Sequence, residues 1–113
     1  MSSADPYQPG DVVWAPDPFR DGRNPRLWLV LASDGLPYSG EEYICVALTT
    51  SDLSANVEVG DAWITGQHPE KRSYCSPWVV ATVKHDDIAN PQGRVTAAFT
   101  DRVRADCIEF VSD

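Results

Sequence analysis

Residues 10–34 read GDVVWAPDPFRDGRNPRLWLVLASD, and residues 42–49 read EYICVALT. Gly10-Asp11 opens the first ordered element. Val12 to Ala15 is a short strand, stopped by Pro16 and Pro18. Residues 16–26 carry three prolines and one glycine, which rules out a helix or a central strand there and makes the segment a loop. Leu27 to Ala32 is apolar at every position, so both faces of that strand must be covered. A turn over residues 33–40 leads to a third strand, Glu42 to Thr49.

Beyond this stretch the elements are shorter. Residues 50–55 form a polar connection. Asn56 to Val59 gives a brief strand, and Ala62 to Ile64 a ragged edge. A loop over residues 66–73 holds His68, Glu70, Lys71 and Arg72. Trp78 to Val83 is another buried strand, residues 84–93 are turn material, and Arg94 to Ala97 pairs briefly. The one convincing helix lies near residues 99–111. Phe99, Val103, Cys107, Phe110 and Val111 recur there at helical spacing as one apolar stripe with Ile108 beside it, and Thr96 or Thr100 can cap its start. Five to seven short strands followed by one helix predict a mainly β chain: a small, strongly curved antiparallel sheet or partial barrel, with the helix over an opening. Residues 1–9 are read as a flexible tail and residues 10–113 as a single domain.

Composition narrows the function. Of 113 residues, 42% are hydrophobic and four are tryptophan, which marks a folded chain. No apolar run approaches a membrane span, and the first residues lack the basic start and apolar segment of a secretory signal. A cytoplasmic protein is expected. The net charge is −8, from 17 acidic against 9 basic residues. A generic duplex-DNA or membrane-surface binder would be basic, so both classes lose support. Acidic residues are mostly aspartate, and the lysines are only Lys71 and Lys84. Such a surface suits a cytoplasm of very high salt, where screening removes self-repulsion; it points to a halophilic, archaeal source, the plainer alternative being an ordinary acidic protein. The melting temperature is accordingly expected to rise from millimolar to molar KCl, and an unchanged or lower melt in molar KCl would contradict this.

Cys45, Cys75 and Cys107 form no CxxC and are odd in number, which argues against a disulfide framework or a zinc site. They read as small buried apolar residues in a reducing compartment. His68 and His85 are isolated and read as solvated or structural. Asp86-Asp87 reads as turn and capping chemistry rather than a metal site. No phosphate-binding glycine loop and no GxSxG elbow is present.

The basic residues are informative because they are few. Arg20, Arg23 and Arg26 fall within seven residues on a proline-stiffened loop, although Asp17 and Asp21 intervene. A planar guanidinium fork suits phosphate. Arg26 borders the apolar strand, and Thr49 ends the next one. If these strands are adjacent and antiparallel, Arg26 and Thr49 share a rim. An arginine, a hydroxyl and nearby aromatics at one barrel edge suit a phosphodiester of single-stranded RNA. The plainer alternatives are that Arg26 pairs with Asp34 or Asp11 and that Thr49 caps a strand end. Trp14 and Trp28 read as core rather than as base-stacking platforms.

This order of motifs resembles the MazF/PemK toxins of toxin–antitoxin pairs: Gly10-Asp11, a strand ending in Trp14, a loop, Arg26 entering an apolar strand that ends at Ser33-Asp34, and a strand ending in Thr49. Ser76-Pro77-Trp78-Val79-Val80 resembles the family's Ser-Trp-Val element. Where the family has proline after its arginine, this chain has Leu27, with proline at 25. Where the family often has Gln-Ile-Arg-Thr, it reads Ala81-Thr82-Val83-Lys84-His85, with Lys84 available as the basic residue. The resemblance implies an SH3-like, MazF/CcdB-like barrel that pairs as a homodimer and binds a cognate antitoxin. It implies an endoribonuclease that cuts single-stranded RNA through the ribose 2′-OH without metal or cofactor. Arg26 and Thr49 would be catalytic, with Arg20, Arg23 and Lys84 on the RNA. The alternative on the same barrel is a non-catalytic RNA- or protein-binding module.

Overall fold

Alternating burial along three consecutive strands organises the molecule. In the computed structural model, which describes residues 7–19, 24–66 and 71–112, β1 spans Asp11–Pro16, β2 Pro25–Ala32 and β3 Glu42–Thr49. Val12, Leu27, Leu29, Leu31, Val46 and Leu48 point to one core, and Val13, Trp28, Val30, Tyr43, Cys45 and Ala47 to another. The period of two along each strand sends neighbours to opposite faces. As expected of the all-apolar run, β2 is covered on both sides, and Trp28 is fully buried.

The remaining strands are β4 (Val57–Glu58), β5 (Trp63–Gly66), β6 (Tyr74–Lys84) and β7 (Asn90–Val95). All seven form one antiparallel sheet in the order β4-β6-β3-β2-β1-β7-β5. Chain geometry forces this sheet to curl. The two outermost strands, β4 and β5, are joined only through Val59 and a 3-10 turn at Gly60–Ala62. Five Cα–Cα steps from Glu58 to Trp63 reach at most about 18 Å, so the sheet edges lie close together. The strongly curved, half-closed barrel expected from the sequence is therefore present. Near this closure β5 pairs with β7 so closely that a Cβ on Gly93 would run into the Thr65 carbonyl oxygen; only glycine fits there.

The helix α1, Ala97–Val111, packs on β6 and β2. Thr96 caps it by accepting a hydrogen bond from the Phe99 backbone N–H at 3.1 Å. Val103 is fully buried in the first core, with Phe99 and Cys107 against it. The predicted apolar stripe ends there. Ile108, Phe110 and Val111 are half or more exposed, although the ring of Trp78 lies 5.4 Å from that of Phe110.

β6 and β7 begin earlier than their sequence suggests. Both contain a proline, Pro77 and Pro91, and each proline sits at a register shift. A bulge accommodates a residue that has no N–H to give to the ladder. The chain is also anchored ahead of β1: the Tyr7 N–H donates to the Tyr43 hydroxyl, whose oxygen lies 2.7 Å from His85 Nδ1. Of the two roles the sequence leaves open for His85, solvated or structural, this contact gives it the structural one. Among the described residues no helix is long and apolar enough to cross a membrane.

Candidate functional site

The register of β2 on β3 pairs Trp28 with Ala47. Counting two residues outward along antiparallel strands brings Arg26 opposite Thr49, the shared rim the sequence predicts. They line one open cleft of about 630 Å³, together with Trp14, Asp17, Asn24, Ser51, Lys71 and Gln92 among others. The cleft lies where the β1–β2 loop, the end of β3 and the start of β6 meet.

Arg26 is held in place rather than free. Its Nη1 donates to Asp17 Oδ2 at 3.1 Å and its Nη2 to the Leu48 carbonyl at 2.8 Å. The guanidinium carbon stands 5.8 Å from the centre of the Trp28 ring, a favourable cation–π distance. Two of five N–H donors are committed in this way, and the other three carry no hydrogen bond to the described residues. The ion-pair partner is Asp17, not the Asp34 or Asp11 that the sequence offered. Asp11 pairs instead with Arg94, at 2.5 Å.

Asp17 is only 2% exposed. Its other oxygen accepts the Phe19 N–H at 2.9 Å, an Asx-type turn that shapes the start of the β1–β2 loop. One buried carboxylate thus positions both the guanidinium and the loop.

The Thr49 hydroxyl accepts the Ser51 N–H at 3.1 Å. Thr49 does cap a strand end, as the plainer reading held, yet this uses only its oxygen. The hydroxyl proton is left for an acceptor in the cleft. On the opposite wall Trp14 Nε1 donates to Gln92 Oε1 at 2.8 Å, fixing the Trp14 edge.

The register does not bring Lys84 to this site. Lys84 pairs with Glu42 at the far end of β3, roughly 23 Å of strand from Thr49. Lys71, which the sequence placed only in a loop, lines the cleft instead. Arg20 and Arg23 lie outside the described residues. No cysteine lines the cleft, and burial pushes the Cys45 thiol up to about 12 and raises Cys75 and Cys107 as well.

No protein-family model and no curated protein matches the sequence. Solved structures do match the fold. An endoribonuclease in complex with its cognate antitoxin from a mycobacterial species is 18% identical, over 94% of this chain and 93% of that one, with a TM-score of 0.66. The Mycobacterium tuberculosis toxin MazF-mt6 is 18% identical, over 88% of this chain and 93% of that one, with a TM-score of 0.63. The fold is the MazF fold. An endoribonuclease from a mycobacterial species is 16% identical over 96% and 93%, with a TM-score of 0.65.

Within this MazF fold, the cleft brings together Arg26 and Thr49, as the sequence expects, and also Asp17 and Lys71, which the sequence does not place there. Asp17 looked like a charge that diluted the arginine cluster. Its signal was the order Asp17-Pro18-Phe19, which suits an aspartate folding back on the N–H two residues ahead. Lys71 gave no signal, because its place depends on a loop between two strands that do not pair with each other.

Proposed function

We propose that this chain is a MazF-type toxin, an endoribonuclease that cleaves single-stranded RNA. The observation that carries this reading is Arg26 opposite Thr49 in one open cleft, with three guanidinium N–H groups and a hydroxyl proton uncommitted. That is a donor set for a phosphate. The nucleophile is the substrate's own 2′-hydroxyl, which also excludes DNA. Its oxygen bonds to phosphorus, the P–O5′ bond breaks, and the proton lost by the 2′-oxygen is balanced by one gained at the 5′-oxygen. The products are a 2′,3′-cyclic phosphate and a 5′-hydroxyl. Arg26 offsets charge growing on the phosphate oxygens. Thr49 donates to one of them. An arginine is too weak an acid to serve readily as the base, so its role is electrostatic. Asp17 positions Arg26, and Arg20 and Arg23 hold the RNA backbone.

No metal or cofactor is assigned a step. The test is an end-labelled single-stranded RNA incubated in EDTA. Cleavage to 5′-hydroxyl ends supports the reading; no cleavage at any salt favours a binding module on the same barrel.

The working form is proposed to be a cytoplasmic homodimer, held in check by a cognate antitoxin. The exposed rings of Trp78 and Phe110 offer apolar surface for a partner. With a net charge of −8, contacts to an acidic antitoxin segment would be largely apolar. Light scattering at working salt is expected to give twice the 12.4 kDa chain mass; a mass near that of one chain at high micromolar concentration would exclude the dimer.

A further inference from the structure

The cleft has an electrostatic imbalance. Among the described residues that line it, the cations are Arg26 and Lys71 and the one carboxylate is Asp17. Asp17 is buried and bonded to Arg26, so that pair brings no net charge to an incoming anion. The chain as a whole repels one, at −8. Lys71 is exposed, and no carboxylate among the described residues pairs with it. Its neighbour Arg72 is engaged with Glu58 at 3.4 Å.

The fold gives Lys71 a defined place. Its carbonyl accepts the Ser73 hydroxyl at 3.1 Å, and the Ser73 carbonyl accepts the Val59 N–H at 2.9 Å. Three residues after Lys71, Tyr74 begins β6 and pairs with Thr49. Since β3 lies between β6 and β2, Thr49 stands between Lys71 on one side and Arg26 on the other. The strands leading to these two cations are two spacings apart, about 10 Å. Long side chains rooted at that spacing can meet neighbouring phosphates of one strand.

We propose that Lys71 holds a second backbone phosphate of the RNA, next to the one met by Arg26 and Thr49, and supplies the net positive charge of the cleft among the described residues. This rests on the RNA-cleaving reading above, but it concerns binding and is tested without cleavage. A contact to a non-reacting phosphate holds ground state and transition state alike, so its loss raises KM and leaves kcat nearly unchanged.

The experiment uses a short fluorescein-labelled single-stranded RNA with 2′-O-methyl groups throughout, which cannot be cut. Its Kd is measured by fluorescence anisotropy across a KCl series. Each phosphate contact on a single strand contributes about 0.7 to the slope of log Kd against log salt. Lys71→Met is expected to weaken binding and lower that slope by about 0.7. Lys71→Arg should retain it, and Lys84→Met, at the far end of β3, should leave it unchanged. An unchanged slope for Lys71→Met, with wild-type protein binding the RNA, overturns the role of Lys71 alone. A slope lowered by Lys84→Met and not by Lys71→Met overturns it in favour of the other lysine. Wild-type protein that binds no such RNA overturns both this contact and the RNA-cleaving reading.

Discussion

Arg26→Ala is expected to abolish RNA cleavage, with a loss of about a hundredfold or more in rate. A single donor aimed at charge that develops in the transition state is worth ~3–4 kcal/mol, and Arg26 brings three uncommitted N–H groups to the cleft. The substitution has a second effect that must be separated from the first. Asp17 is 2% exposed and its Oδ2 bonds to Arg26. Truncating the arginine leaves that carboxylate short of a partner, at about 1–3 kcal/mol of stability. Arg26→Lys distinguishes the two losses. It keeps a cation for Asp17 but lacks the planar fork that reaches Asp17, Leu48 and a phosphate together. It should melt close to wild type and still lose at least about tenfold in rate. Thr49→Ala removes one neutral donor and should cost about tenfold. A wild-type rate in well-folded Arg26→Lys and Arg26→Ala protein, read from cleavage of end-labelled RNA, would take Arg26 out of the chemistry.

The part of this site that was legible came from consecutive strands. The apolar run at Leu27–Ala32 and the strand ending at Thr49 are neighbours in sequence, and an antiparallel pair joined by a short turn has few registers that keep both faces buried. The meeting of Arg26 and Thr49 followed from that constraint. The other walls of the cleft depend on pairings between distant segments. Trp14 meets Gln92 because β1 pairs with β7 across 78 residues of chain. Lys71 lines the same cleft as Thr49 because β6 pairs with β3. Local patterning carries no information on either.

The prolines misled for a related reason. Pro77 and Pro91 break a local strand pattern, but bulges in the finished sheet tolerate them. Ile108, Phe110 and Val111 continue a helical apolar stripe by spacing, yet whether a stripe is covered depends on where the sheet beneath it ends. Asp17 shows how charge in a loop can mislead. Counted along the sequence it offset the arginines, whereas in the fold its burial against Arg26 is what holds the guanidinium in the cleft.

In the proposed mechanism the nucleophile belongs to the substrate, and this gives the second large effect. Once the cut site in a single-stranded RNA has been mapped, the 2′-hydroxyl immediately before it can be removed by a single deoxy substitution. Nothing else in the protein or the RNA changes: every phosphate and base contact is kept, so binding should be nearly unaffected. Cleavage should stop at that position, because the group proposed to attack the phosphorus is gone. The burial of Asp17 and its two hydrogen bonds leave it poorly placed to do so, and the buried Cys45 and Cys75 thiols are held protonated. The decisive measurement is therefore the cleavage rate of two end-labelled RNAs, one all-ribose and one deoxy at that single position, with wild-type protein in EDTA. The expected result is that the ribose strand is cut to a cyclic phosphate and a 5′-hydroxyl and the deoxy strand is not cut there at all. Equal rates on the two strands, or a reaction on the ribose strand that EDTA stops, would contradict cleavage by the ribose hydroxyl at Arg26 and Thr49.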